Sequence, residues 1–336
     1  MGNKKVKRKL GANIWWILIL AILIIFVAYL VMGYVAKIYE VFMMNKENPL
    51  NKYHTGKFEK QRQDYPGLQS KMTPVPDTGE SSYQGANKLT GKKAFVTGGD
   101  SGIGRAAVIA YAREGADVAI NYHPDEEVDA QEVKAIVEEA GQKCVLLPGD
   151  LRKEGLAKDL VKKAYNELGG LDILVLNAGL QQYQLDIQKL PAEQLRDTFE
   201  VNVFSVVFAI QEALNYLKAG ASIILTSSIQ GVKPSAHLVD YAMTKSSLIS
   251  LTKSLAAQLG EKGIRINAVA PGPIWTALQI SGGQPQDSIP AFGQDQPLGR
   301  AGQPAELASA YVLLASDEAS YTTGQVYGIT GGAPIN

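Results

Sequence analysis

The chain has 336 residues, with 33 basic and 33 acidic side chains, enough for one large domain or two small ones. This balance leaves no global field to favour nucleic acid as a partner. Cys144 is the only cysteine, which excludes an intrachain disulfide and a thiolate metal cluster, and His54, His123 and His237 lack metal-ligand spacing.

Residues 1–13 form a basic tail bearing Lys4, Lys5, Lys7, Arg8 and Lys9. Residues 14–36 carry no charge. As a helix this run would extend about 35 Å at ~1.5 Å per residue, enough to cross a ~30 Å hydrocarbon core. Trp15 and Trp16 near one end, and Tyr34 near the other, suit the two membrane–water interfaces. A cleaved signal peptide would have a shorter apolar region followed by a small-residue cleavage site. This run is longer, and Val35-Ala36-Lys37 is a poor cleavage match, so an uncleaved single-pass membrane anchor is expected. The basic flank predicts a cytoplasmic N-terminus. Gly2 is not a myristoylation site, because Val6 stands where Ser or Thr is wanted.

Residues 37–90 are polar, with Pro49, Pro66, Pro74 and Pro76 and no sustained periodicity. They read as an extended tether or an arm lying on the domain surface. The segment Pro66-Gly67-Leu68, with Met72, could dock. The remainder, 91–336, alternates short apolar runs with amphipathic stretches. Candidate strands are Ala94–Thr97, Val118–Asn121, Cys144–Leu147, Ile173–Leu176, Ser222–Thr226, Arg265–Ala270 and Val326–Ile329, with helical patterns such as Val128–Ala140, Ala157–Leu168 and Ala305–Ala315 between them. This alternation predicts an α/β fold, a Rossmann-type doubly wound parallel sheet of seven strands with helices on both faces. Cys144, at the start of an apolar run, reads as core filler.

At the end of the first strand, Thr97 is followed by Gly98, Asp100, Ser101, Gly102, Ile103 and Gly104, and then by a helical pattern. Glycines between a first strand and a first helix permit tight turning and close approach of main-chain N–H groups to a pyrophosphate. A helix dipole adds roughly 0.3–1 kcal/mol for an anion. An acid at the end of the second strand would bind the ribose of NAD and repel the 2′-phosphate of NADP. Asn121 and Tyr122 stand there and are neutral. The cofactor is therefore NADP or NAD, leaning to NADP, although Asp125, Glu126 and Glu127 follow closely and argue the other way.

Tyr241 and Lys245 are four apart, so on a helix they share one face. A free tyrosine, with a pKa near ~10, is a poor base at neutral pH. An ammonium at ~4 Å and an effective dielectric of ~20 would attract the phenolate by roughly 4 kcal/mol before desolvation. Lys245 is thus the expected activator of Tyr241, and Ser228, ending a strand, is placed to hold a substrate oxygen.

From about Lys88 to the C-terminus the chain resembles the short-chain dehydrogenase/reductase family. The turn Thr97 to Gly104 is similar to the family's cofactor turn, and Asp150-Leu151 to its adenine contact. Asn177-Ala178-Gly179 resembles its Asn-Asn-Ala-Gly motif, with Leu176 replacing the first Asn. Pro271-Gly272-Pro273-Ile274-Trp275-Thr276 resembles the segment that holds nicotinamide and pyrophosphate. Asn202, Ser228, Tyr241 and Lys245 match the catalytic tetrad in order and spacing. The resemblance implies that Tyr241 exchanges a proton with a carbonyl or alcohol oxygen as hydride is transferred. Lys245 would lower its pKa and bind the nicotinamide ribose, and Asn202 would hold a water that returns protons to Lys245. An Asn in the apolar stretch 199–208 is alternatively a hydrogen-bonded structural residue. The family's enoyl-reductase branch spaces Tyr and Lys more widely than the three residues between Tyr241 and Lys245.

The arm, with Gly67-Leu68-Gln69-Ser70-Lys71-Met72, and Ser228-Ile229-Gln230 are similar to a bacterial subgroup described as general-stress aldehyde reductases or homologues of glucose and ribitol dehydrogenases. A membrane anchor departs from that subgroup. Residues 276–300 correspond to the family's mobile substrate lid. Gln279, Gln284, Gln286, Gln294 and Gln296 make it polar. With Gln181, Gln182 and Gln230 they favour polar substrates such as sugars or small hydroxy-aldehydes, with Ser228, Gln230, Gln181 and Tyr241 as substrate contacts. The family also implies a homo-oligomer, a tetramer or dimer. The alternative is a membrane-tethered dinucleotide-binding sensor or scaffold in which catalysis is incidental. A cytoplasmic N-terminus would put the catalytic domain on the side away from the main cofactor supply, so the membrane face stays open.

Overall fold

The computed structural model describes residues 3–43 and 48–335. Met1 and Gly2, the side chains of the basic tail and residues 44–47 of the arm lie outside the described residues. The chain divides into two units, Met1–Lys52 and Tyr53–Asn336.

Among its described residues the first unit contains one helix, α1 (Asn3–Met43). Its segment Trp15–Ile38 has 24 residues and a mean hydropathy of 2.9, and is long and apolar enough to cross a membrane. Every side chain in that segment is exposed, unlike those of an apolar helix inside a globular core.

In the second unit the elements run β1 (Lys93–Thr97), α2 (Gly102–Arg113), β2 (Asp117–Tyr122), α3 (Glu127–Glu139), β3 (Cys144–Pro148), α4 (Leu156–Leu168), β4 (Ile173–Leu176), α5 (Ala192–Phe199), α6 (Ser205–Ala213), β5 (Ser222–Thr226), α7 (Val239–Gly260), β6 (Arg265–Pro271), α8 (Ala305–Ala315) and β7 (Val326–Ile329). The strands form one sheet in the order β3-β2-β1-β4-β5-β6-β7, and each neighbouring pair is parallel. This is the doubly wound sheet that the alternating pattern predicts.

Period-two alternation along the strands feeds two separate cores. Ala94 and Val96 of β1 join Val118 and Ile120 of β2 in a cluster with Val108, Tyr111, Val133, Leu307 and Tyr311, from α2, α3 and α8. Phe95 and Ala119 point to the other face, where they meet Leu160, Val161, Val206, Ile210 and Leu248, from α4, α6 and α7. The chain winds outward from β1 to β3, then crosses back to place β4 on the other side of β1. The C-terminal ends of β1 and β4, where Thr97 pairs with Leu176, are therefore the crevice at which such sheets bind ligands.

From Tyr53 onward the arm is built into this unit rather than left as a tether. Phe58 and Met72 share a third apolar cluster with Trp275, Ile280, Ile289 and Phe292. The rings of Phe58 and Trp275 stack with centroids 3.9 Å apart and planes 9° apart. The Trp275 indole donates a 2.8 Å hydrogen bond to the Pro74 carbonyl. Further along, the Glu114 carboxylate accepts from the main-chain N–H groups of Ala86 and Lys88, each at 2.8 Å, and Leu89 is fully buried. The segment 276–300 is not a plain solvated loop either, since Ile280, Ile289 and Phe292 anchor it against the arm.

Candidate functional site

The turn after β1 is held by close packing. Gly98 and Gly102 have φ of 62° and 53°, in the left-handed region that favours glycine. A Cβ on Gly104 would fall 1.8 Å from the Gly98 carbonyl oxygen and 2.5 Å from Asn177 Nδ2, so only glycine lets α2 seat on the turn. Thr97 Oγ1 accepts from the N–H groups of Asn177 and Ala178 at 3.0 and 3.1 Å, and Asn177 Nδ2 donates to the Gly98 carbonyl at 3.0 Å. These bonds lash the β1 turn to the loop after β4.

Above the crevice lies a groove of about 570 Å³. Gly98, Asp100, Ser101, Gly102 and Ile103 line it from the β1 turn, and Asn121 and Tyr122 from the end of β2. Asp150 and Leu151 follow β3, and Asn177, Ala178 and Gly179 follow β4. Pro271, Gly272, Ile274 and Thr276 close it from β6, and Gln181, Ser228, Gln230, Tyr241 and Lys245 complete the other end. The predicted site residues thus converge, with two exceptions. Gly104 lies beneath the turn as packing, and Asn202 is enclosed behind the wall.

The groove fits a dinucleotide. The N-terminus of α2 opens onto it, as a pyrophosphate requires. Asp100 is only 1% exposed, and its Oδ2 has no hydrogen-bond partner among the described residues. A ribose hydroxyl would supply the missing donor, because buried carboxylate oxygens are rarely left unpaired. Burial, reinforced by the neighbouring Asp129, raises the Asp100 carboxyl above its ordinary value. Burial, with Asp100 close by, does the same to Glu126. Asn121 is committed to structure at one end, donating to the carbonyls of Leu147 and Gly149 at 3.1 and 3.0 Å. The Tyr122 hydroxyl donates to Glu127 at 2.6 Å.

At the opposite end, α7 brings Tyr241 and Lys245 to one face, both buried. Lys245 Nζ donates to the Thr226 carbonyl at 2.8 Å and sits 5.4 Å from the centroid of the Tyr241 ring. Ser227 Oγ donates to the Lys245 carbonyl at 2.8 Å, pinning α7 to the end of β5. Ser228 lies close enough to the Tyr241 phenol to lower its pKa, and its Oγ is oriented by accepting from the Gln230 N–H at 3.1 Å. Burial pushes the phenol up to about 12, against the pull of Ser228. Burial drives the lysine down to about 7. The ammonium expected to acidify Tyr241 does not offset that rise here, because its own charged form is disfavoured by the same dry surroundings.

Asn202 lies in a wide turn of π-helical bonding, Glu200–Phe204, between α5 and α6. Its Oδ1 accepts from the Leu180 N–H at 2.7 Å, while Nδ2 donates to the Leu180 carbonyl at 2.9 Å and to Thr244 Oγ1 at 3.0 Å. Its side chain therefore clamps the loop after β4 to α7. Of the expected substrate contacts, Gln181 donates to the Gly283 carbonyl at 2.7 Å. Gln230 is folded onto Ser235, donating at 3.0 Å and accepting at 2.6 Å.

Several groove residues escaped sequence reasoning. His237 faces Gln284 at 3.2 Å across the substrate end, and Tyr65 and His123 line the other. A lone histidine in a loop has no pattern to mark it. Tyr65 precedes Pro66-Gly67, the one portion of the arm with docking features.

A family model described as enoyl-(acyl carrier protein) reductase matches residues 98–333. The uncharacterised oxidoreductase YhxD of Bacillus subtilis (strain 168) is 60% identical over 293 residues, 86% of this chain and 98% of that protein. The chloroplastic NADPH-dependent aldehyde reductase 1 of Arabidopsis thaliana is 43% identical over 285 residues, 83% of this chain and 99% of that protein. Among solved structures, a short-chain dehydrogenase from Burkholderia cenocepacia J2315 in complex with NADP superposes with a TM-score of 0.68 at 33% identity, covering 73% of this chain and 98% of that one.

Proposed function

The chain belongs to the short-chain dehydrogenase/reductase family and is an NAD(P)-dependent oxidoreductase; from that premise we propose that it moves a hydride between the cofactor and a small polar carbonyl or alcohol compound, an aldehyde or a sugar, with Tyr241 as general acid and base. The observation that carries this reading is the grouping of Tyr241, Ser228 and Lys245 in one buried corner of the groove. The three residues between Tyr241 and Lys245 favour this chemistry over enoyl reduction, despite the description of the matching family model.

The nicotinamide, when bound, supplies or accepts the hydride. Asn177, Ala178, Pro271, Gly272, Ile274 and Thr276 would hold its end of the cofactor, and Ser101 and Ile103 the pyrophosphate, with Gly102, whose N–H donates to Gln69, shaping the turn between them. Ser228 orients the substrate oxygen by hydrogen bond. Tyr241 gives its phenolic proton to that oxygen in reduction and takes the alcohol proton in oxidation. Lys245 would stabilise the phenolate only in its charged form, which burial disfavours in the cofactor-free groove, and Asn202 fixes the loop that carries Gly179 beside it. NADP is the preferred form, supported by the neutral Asn121 and Tyr122 at the end of β2 and by the cofactor for which the Arabidopsis relative is named. Gln181, His237 and Gln284 at the substrate end favour a hydroxylated substrate.

The test is cofactor oxidation by the purified chain across a panel of aldehydes and sugars, with both NADPH and NADH. Tight cofactor binding without turnover on any carbonyl compound would favour a sensor instead. Segment Trp15–Ile38 is an uncleaved membrane anchor, supported by its length and hydropathy, and protease protection of intact vesicles identifies the face. Self-association through the turn before α6 and through α7 is supported by the exposed Phe204, Val239 and Met243, and sedimentation measures it.

A further inference from the structure

One wall of the groove comes from outside the family's motifs. Tyr65, on the arm, lines it and is partly buried against the second core cluster. The His123 imidazole meets the Tyr65 ring at 64°, with centroids 6.0 Å apart. The Arg152 guanidinium lies 5.8 Å from the Tyr65 centroid. Arg152 also donates to Asp150 at 2.7 Å and to Asp197 at 3.3 Å. An aromatic ring, an imidazole, a guanidinium and a carboxylate therefore meet at one place, beyond the ends of β2 and β3. The sheet order puts that place on the far side of β1 and β4 from β5, where Ser228 and Tyr241 lie.

The arm is fixed here, not merely passing. Gln69 Oε1 accepts from the Gly102 N–H at 2.7 Å, and Asp129 Oδ2 accepts from the Gln69 N–H at 2.6 Å. Gly67 is so close to the lid segment that a Cβ would meet Ser281 at 3.0 Å. Upstream, the Gln63 N–H donates to the Ile280 carbonyl at 3.2 Å, so Tyr65 is presented to the groove from a backbone pinned on both sides.

We propose that Tyr65 is a cofactor-binding residue, an aromatic platform for the adenine ring, so that the N-terminal arm forms part of the dinucleotide site. This rests on the oxidoreductase reading above and deepens it. A purine offers a flat π-face to the Tyr65 ring and an amino group to the Asp150 carboxylate, and such stacking tolerates changes in the ring edge. Burial keeps the phenol protonated well past its ordinary range, so the platform is neutral at every physiological pH.

The experiment uses the full chain in detergent and measures equilibrium dissociation constants calorimetrically, without turnover. The probes are NADPH, 2′,5′-ADP, and reduced nicotinamide mononucleotide. Tyr65→Ala and Tyr65→Leu should weaken NADPH and 2′,5′-ADP on the order of tenfold or more and leave the mononucleotide unchanged. Tyr65→Phe should bind like the parent. Unchanged 2′,5′-ADP binding in either folded variant overturns the proposal. So does an equal loss for both halves of the cofactor, which would mark a purely structural role. Failure of the parent chain to bind either NADPH or NADH would instead remove the oxidoreductase reading itself. Circular dichroism establishes which variants are folded, and Tyr65→Leu, which keeps apolar bulk at this position, guards against collapse of Tyr65→Ala.

Discussion

The side-chain oxygen of Gln69 accepts the main-chain N–H of Gly102 at 2.7 Å, and Gln69 itself is 1% exposed. A residue of the arm thereby satisfies one of the orphan donors at the start of α2, beside the turn that would cradle pyrophosphate. Gln69→Ala leaves that N–H buried without a partner, at a cost of about 1–3 kcal/mol. The midpoint of thermal unfolding should fall by several degrees, and NADPH binding should weaken because the turn loosens. Scanning fluorimetry with a binding titration checks both. No change in either would mean that the arm does not hold the cradle.

Tyr241→Phe keeps the ring and removes the proton. Turnover should drop by roughly 10²–10⁴-fold, while the dissociation constant for NADPH stays close to that of the parent. Steady-state kinetics and a binding titration on the same preparation separate the two effects. Near-normal turnover would remove Tyr241 from the chemistry.

Lys245 gives a pH signature. In the folded, cofactor-free protein it deprotonates at about 7, and in the unfolded chain at 10.5. Between these values the unfolded state binds more protons, so this group adds stability as pH rises. Its contribution is complete above 10.5 and is lost as pH falls through about 7. Lys245→Met has no proton to hold, so it should be more stable than the parent by the widest margin below pH ~7, with the gap closing toward pH ~10. A margin independent of pH would contradict the buried, weakly basic lysine. Turnover by the variant should be lost at every pH.

Trp275→Ala removes the ring stacked on Phe58 and the donor to the Pro74 carbonyl. Truncating a buried tryptophan costs about 3–5 kcal/mol. The arm should then be released before the sheet unfolds, and limited proteolysis should cut between Phe58 and Thr78 under conditions where the parent resists. Cleavage first within the sheet would show that this cluster does not secure the arm.

The sheet was readable because its signals are local. Phe95 flanked by Ala94 and Val96 shows a strand buried on both faces, and the turns between elements carry their own glycines. Tyr241 and Lys245 were readable for the same reason, since one helical turn fixes their common face. The arm was not, because its partners are remote in sequence. Phe58 pairs with Trp275, and Gln69 with Gly102, through contacts that follow no period. The Lys245 environment was misjudged too. Spacing gave its proximity to Tyr241, but not the dry surroundings that weaken its charge. Asn202 was singled out by its order in the chain, yet nothing in an apolar stretch reveals that its amide would be occupied by Leu180 and Thr244.

Phe58, Met72 and Leu89 are interior side chains, although all three precede the first strand. A recombinant fragment trimmed to start at Lys93 would keep every residue of the tetrad and still be an incomplete protein, with Trp275 stripped of cover and prone to aggregate. A soluble version should therefore be cut upstream of Tyr53, where the second unit begins.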